Sequence, residues 1–127
     1  MAVPIVALYG ALNAVLNVVL AVRVTIGRRR SKTSLGVGTD ETLLHASRAH
    51  GNNAEYVPIA LIVLLIAEIQ GGSSVAMHSL GGALLVGRIL HAIGIPMRAP
   101  NPYRAVGMAL TWGVILAASG YCLALRG

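Results

Sequence analysis

Apolar residues in this chain run in unbroken blocks about as long as a bilayer is thick. Ala2 to Val22 and Ala105 to Leu125 are each 21 residues without a charge, Ile69 to Gly87 is 19, and Ala49 to Ala67 is 19 with Glu55 as its one interruption. A helix rises about 1.5 Å per residue, so roughly 20 residues cross a hydrocarbon core of roughly 30 Å. The pattern predicts four transmembrane helices, over about residues 4–26, 40–70, 75–95 and 103–125. Pro4 suits a first helical turn, and Gly27, followed by three arginines, marks the expected stop of the first helix. Thr39 or Asp40 is placed to cap the second helix, with Asp40 and Glu41 at its positive end. Gly71 to Ser74 reads as a short turn, and Pro96, Pro100 and Pro102 make the segment between Ile95 and Tyr103 a stiff connector. In the third helix, Ala83 and Gly87 have the small-xxx-small spacing that lets helices approach closely. The four helices use most of the chain, so residues 1–127 are expected to form one all-α integral membrane domain, a four-transmembrane-helix bundle.

Composition agrees with the pattern. The 127 residues are 56% hydrophobic and 11% charged, with a mean hydropathy of +0.75, which excludes a water-soluble monomer. The net charge of +6 does not indicate nucleic acid, because the basic residues lack the interleaved aromatic and polar surface of a binding groove. It indicates orientation. Arg23, Arg28, Arg29, Arg30, Lys32, Arg98 and Arg104 fall at the first and third loops, whereas Gln70 to Val75 carries no charge. The positive-inside rule then puts those two loops in the cytoplasm and both termini outside. The first helix is read as retained rather than as a signal peptide, because its basic cluster follows the apolar run. Cys122 is the single cysteine, so no internal disulfide forms, and its place in an apolar helix reads as a packed thiol.

The chemistry is concentrated in Arg48-Ala-His-Gly-Asn52-Asn-Ala-Glu55-Tyr56-Val-Pro58. Arg48, Asn52, Glu55 and Tyr56 stand at i, i+4, i+7 and i+8, which makes one polar stripe on a helix that continues from Val57 as an apolar run. Glu55 should lie about 8 to 10 Å inside the bilayer boundary, where a charge costs about 2.5 to 3.5 kcal/mol unless compensated. Arg88, at the same expected depth on the third helix, is its natural partner, and His91 follows one turn later. Beyond that pair the basic side carries a surplus of Arg48, Arg88, Arg104 and Arg28 to Arg30, which favours an anionic ligand held by guanidinium forks. Asn13 and Asn17 are read as interhelical hydrogen-bonding groups rather than substrate contacts. His45, His50 and His78 share no metal-ligand spacing, so no metal is expected, and haem ligation through His50 and His91 is disfavoured by their position near the surface. Trp112 and Tyr121 read as packing or interfacial residues.

The run Arg48-Ala-His-x-Asn52-x-x-Glu55, with Pro58 beyond it, resembles the signature of the MAPEG family, membrane-associated proteins in eicosanoid and glutathione metabolism. Val86-Gly-Arg88-Ile-Leu-His91, followed by Arg98-Ala-Pro100 and Arg104, is similar to the third helix and third loop of the prostaglandin E synthase branch. Arg28 to Arg30 resembles the end of the first helix in leukotriene C synthase. The resemblance implies a homotrimer of four-helix subunits that binds glutathione as co-substrate between neighbouring subunits on the cytoplasmic side. By matching position it implies glutathione contacts from Arg48, Asn52, Glu55, Tyr56, Arg88 and His91, with Arg28 or Arg29 from the first helix, and a thiolate-stabilising role for Arg104. Glutathione offers two carboxylates to arginines and an ammonium to Glu55, and a site open to lipid admits lipophilic electrophiles.

Two departures bear on the reaction. Leukotriene C-forming relatives have tyrosines at the positions of His91 and Ile95, and the prostaglandin branch has a serine where this chain has Ala105, which weighs against an eicosanoid synthase. The expected function is therefore a glutathione transferase or peroxidase acting on lipophilic electrophiles. The alternatives are a non-catalytic glutathione- or lipid-binding scaffold, and a small multidrug-type transporter, a class whose essential glutamate lies in a first helix that here has no acid. A short chain without a retention signal points to a bacterial inner-membrane protein.

Overall fold

The computed structural model describes residues 2–126. It consists of four helices, α1 (Pro4–Ser31), α2 (Glu41–Ile69), α3 (Ser74–Gly94) and α4 (Pro102–Leu125). All four are long and apolar enough to cross a membrane. Helix α2 touches the other three, α3 packs closely on α4, and α1 lies against α2 and α3. The outward surface is apolar: Val15, Val18 and Val22 of α1, Ile62 of α2, Ile93 of α3 and Leu116 of α4 are all exposed. The inside carries the polar groups, with Asn13, Asn53, Arg88, His91 and Thr111 buried. This inversion suits a chain surrounded by lipid, where apolar side chains lose nothing by facing out and polar ones need protein partners.

Each helix start has a definite cap. Asp40 accepts from the Leu43 N–H at 3.0 Å, Ser73 from Ala76 at 3.3 Å and Asn101 from Arg104 at 3.0 Å. The first helix has no such side chain, because Val3 occupies its cap position. Its donors are met from a distance. Pro4 has no N–H, the Ala7 N–H reaches Val3 O at 3.0 Å, and Glu68 near the end of α2 accepts from Ile5 N at 2.9 Å and Val6 N at 2.7 Å. A carboxylate therefore caps the positive end of α1 from 63 residues away.

The first helix also runs further than its composition suggests, continuing through Gly27 and the arginines to Ser31 before Lys32 turns left-handed at φ 53°. Gly27 does not stop it. A Cβ there would come within 3.1 Å of Leu43 Cδ1, so the glycine gives room for the first turns of α2. Arg28, Arg29 and Arg30 form the last turn, where cations interact favourably with the helix dipole. Thr33 N and Lys32 N close the helix on the carbonyls of Arg28 and Arg29.

Helices α3 and α4 pack backbone to backbone at glycines. A Cβ on Gly107 would lie 2.6 Å from both Gly87 O and His91 N. Gly94 similarly faces the backbone N of Arg104, so two glycines draw the start of α4 against the end of α3. Gly87 takes part in this contact, as its spacing suggests, but its counterpart is Gly107 of α4.

Candidate functional site

At the basic end of the bundle, where the loops over residues 32–40 and 95–101 lie, a cleft of about 530 Å³ opens between α2, the end of α3, the loop after it and the start of α4. Its lining includes His45, Arg48 and Asn52 from α2, His91 from α3, Arg98 from the loop and Arg104 from α4. The α2 residues stand at i, i+3 and i+7, one face of the helix. Among the described residues no Asp or Glu lines it, so the cleft presents three guanidinium groups with no acid beside them. Its size is that of small-molecule pockets in general.

Directly behind the cleft lies Arg88, 1% exposed, and its guanidinium is fully occupied. Nε donates to Asn53 Oδ1 at 3.1 Å. Nη1 donates to Thr111 Oγ1 at 3.3 Å and faces Met108 Sδ at 3.9 Å. Nη2 donates to Asn52 Oδ1 at 2.7 Å and meets His91 Nδ1 at 3.3 Å. Five N–H groups thus have five partners, all neutral. The network extends in both directions: Thr111 Oγ1 donates to Gly107 O at 2.8 Å, and Asn53 Nδ2 donates to Asn17 Oδ1 at 3.1 Å. A buried cation surrounded only by dipoles, below three more arginines, gives the whole site a positive potential.

The expected Glu55–Arg88 pair does not form. Arg88 meets the adjacent asparagines Asn52 and Asn53, whereas Glu55 lies about 4.5 Å further along α2 than Asn52 and about 60° round from it, on the side away from Asn53. Glu55 is exposed there. Tyr56 is also away from the cleft and packs against Trp112, ring centroids 6.5 Å apart. Arg28 and Arg29 line a separate hollow at the end of α1 with Lys32 and Thr33. Within one chain, then, Arg48, Asn52, His91 and Arg104 share the cleft with Arg88 behind them, while Glu55, Tyr56, Arg28 and Arg29 do not.

Asn53 and Thr111 belong to the arginine network without having been singled out in the sequence. For Asn53 the signal was present, since two adjacent asparagines in an apolar helix face different neighbours 100° apart. Asn17 bridges helices, but Asn13 bonds its own helix, donating to Tyr9 O at 2.8 Å. His78 pairs with the Tyr9 hydroxyl at 3.2 Å, and the Cys122 thiol donates to Val63 O at 3.2 Å. Among the described residues no group of three or more His, Cys, Asp or Glu side chains is placed to hold a metal ion.

Four membrane-length helices around a buried arginine network with a basic cleft at one end define a small polytopic membrane protein, and the chain belongs to the MAPEG family, whose model matches residues 6–124. Among similar proteins is "Inner membrane protein YecN" of Escherichia coli strain K12, 36% identical over 110 residues that cover 87% of this chain and 83% of the relative. The protein of the same name from Escherichia coli O6:H1 matches to the same extent.

Proposed function

We propose that the basic cleft binds glutathione and that the protein is a glutathione transferase or peroxidase acting on lipophilic electrophiles in a bacterial inner membrane, with the cleft on the cytoplasmic side. The observation that carries the reading is the charge balance: Arg48, Arg98 and Arg104 surround a cleft without an acid, above a buried Arg88 whose partners are all neutral. Such a site has a place for the two carboxylates of glutathione. Membership of a family related to glutathione supports the identity of the ligand.

A free thiol has a pKa near 8.5, so only a few per cent is thiolate at pH 7. Arg104 at the cleft mouth is the group proposed to favour the thiolate of bound glutathione. In a conjugation the thiol proton leaves to solvent, the sulfur bonds to the electrophilic carbon and the leaving group departs with its electron pair. In a peroxide reduction the thiolate sulfur attacks one peroxide oxygen, the O–O bond breaks and the other oxygen leaves as an alcohol after taking a proton from solvent; a second glutathione thiol then displaces water from the resulting sulfenic acid to give the disulfide. Ala105 supplies no hydroxyl beside the arginine, so Arg104 acts on the sulfur alone, and Arg98, across the same cleft, is the group best placed to replace it. The protein is proposed to work as a homotrimer, in which Arg28 or Arg29 of one subunit approaches the cleft of the next and Glu55 and Tyr56 contribute at the subunit boundary.

The test is the ultraviolet difference spectrum on adding glutathione to the purified protein, together with turnover of a lipophilic electrophile. The parent should show thiolate absorbance, and Arg104→Ala should lose it while keeping most of the affinity. Equal thiolate signal and turnover in the variant would remove Arg104 from the mechanism. Binding without thiolate signal in the parent would favour a non-catalytic glutathione-binding scaffold.

A further inference from the structure

We propose that Arg88 is a specificity-determining positioning residue: by holding Asn52 Oδ1 and His91 Nδ1 it turns the two side chains between itself and the cleft into hydrogen-bond donors, so that the cleft recognises a carboxylate and rejects its neutral amide. The proposal deepens the glutathione reading and rests on it for the identity of the carboxylate, but its structural half stands on donor and acceptor bookkeeping alone.

Arginine has five N–H donors and no acceptor. Whatever meets its guanidinium must therefore present a lone pair. Asn52 does so with Oδ1, 2.7 Å from Nη2, which orients its amide so that the carbonyl points inward and the NH2 group is left for other partners. His91 does so with Nδ1, 3.3 Å from the same nitrogen. A ring that accepts at Nδ1 is neutral and carries its proton on Nε2. The two hydrogens of Nη2 supply one bond to each. Both side chains line the cleft, and among the described residues neither Asn52 Nδ2 nor His91 Nε2 has a partner within the chain. Two neutral residues that could each have faced a ligand with an acceptor are thereby committed to donating.

Two such donors suit a carboxylate, which only accepts, and the surrounding Arg48, Arg98 and Arg104 favour its charge. A primary amide in the same place turns an N–H toward an N–H, and a buried donor without an acceptor is costly. Lysine at position 88 would keep a positive charge but not the planar fork that reaches Asn52, Asn53, His91 and Thr111 together.

Two measurements test this. The first needs no ligand: nitrogen-15 spectra of histidine-labelled protein in detergent, with His91 assigned by its loss in His91→Gln. The proposal expects an unprotonated Nδ1 and a protonated Nε2 in the parent, and loss of that fixed tautomer in Arg88→Lys. A protonated Nδ1 in the parent, or an unchanged tautomer in Arg88→Lys, overturns it. The second compares glutathione with its two monoamides, each lacking one carboxylate charge. One monoamide should bind the parent roughly 10- to 150-fold more weakly than glutathione, the range of one charge-assisted hydrogen bond. In Asn52→Asp, which keeps an acceptor for Arg88 but shows the cleft a carboxylate, glutathione should bind at least about tenfold more weakly while the protein stays folded. Undiminished binding to Asn52→Asp, or equal binding of all three ligands to the parent, overturns the proposal. If the parent binds no glutathione, the functional reading fails by itself and the tautomer measurement still decides the role of Arg88.

Discussion

Removing the carboxylate of Glu68 should unfasten the start of the first helix. Its two oxygens accept from Ile5 N and Val6 N at 2.9 and 2.7 Å, and no side chain at Val3 can take over. Hydrogen bonds to charged groups contribute about 1.5 to 3 kcal/mol each, and the helix dipole adds roughly 0.3 to 1 kcal/mol. Because Glu68 is half-buried, water at the membrane surface replaces part of this, so Glu68→Ala should cost about 2 to 4 kcal/mol. Glu68→Gln keeps one acceptor and should cost about half as much. The assay is unfolding in mixed micelles, followed through the fluorescence of Trp112, the single tryptophan. Because α1 is held at this end by α2, Glu68→Ala should also make the first turns of α1 exchange amide hydrogens faster than the rest of the helix. A stability change below about 0.5 kcal/mol, the scatter expected of surface substitutions, with unchanged exchange at Ile5 and Val6, would refute the capping account.

Gly107→Ala should separate α3 from α4, because its Cβ would meet backbone atoms of both Gly87 and His91; overpacking of this kind costs about 1 to 3 kcal/mol, visible as a lower unfolding midpoint. Gly113→Ala, where a Cβ meets nothing within 4 Å, is the control and should be neutral or slightly stabilising. In a Cys122→Ala background, a cysteine at Ser73 should react with an impermeant label added outside cells and one at Ser34 should not; the reverse pattern would invert the proposed orientation. Cross-linking in native membranes should capture trimers, and reversing the charges of Arg28 and Arg29 together should weaken glutathione binding without altering the fold of the single subunit.

The helices were legible because their signals are local: uncharged length, Pro4 at the start of α1, the prolines that interrupt the chain before α4, and Asp40 at the cap of α2; Pro102, expected in the connector, is the first residue of α4. That Arg48 and Asn52 share a face of α2 was legible from helical periodicity, while the grouping of His91 and Arg104 with them came from the family resemblance, since spacing within one helix does not report which faces of different helices meet. The end of α1 was misread because Gly27 looks like a terminator in one dimension, while its purpose is contact with Leu43, a tertiary fact. The supposed Glu55–Arg88 pair failed for a related reason. The expected depth set Arg88 level with Glu55, but it lies level with Asn52 and Asn53, two to three residues away, and charge alone reports neither that shift nor the rotation about α2. Nor did anything in the sequence connect Glu68 with Ile5 and Val6, since that bond depends on how the ends of α1 and α2 line up.

The central claim is that the cleft between α2, α3 and α4 holds glutathione, and calorimetric titration of glutathione into the detergent-purified protein tests it most directly. Saturable binding is predicted for the parent, weakened roughly 10- to 150-fold by Arg48→Ala and by Asn52→Ala with the assembly intact. A flat titration for the parent, or parental affinity in both variants, would contradict the account.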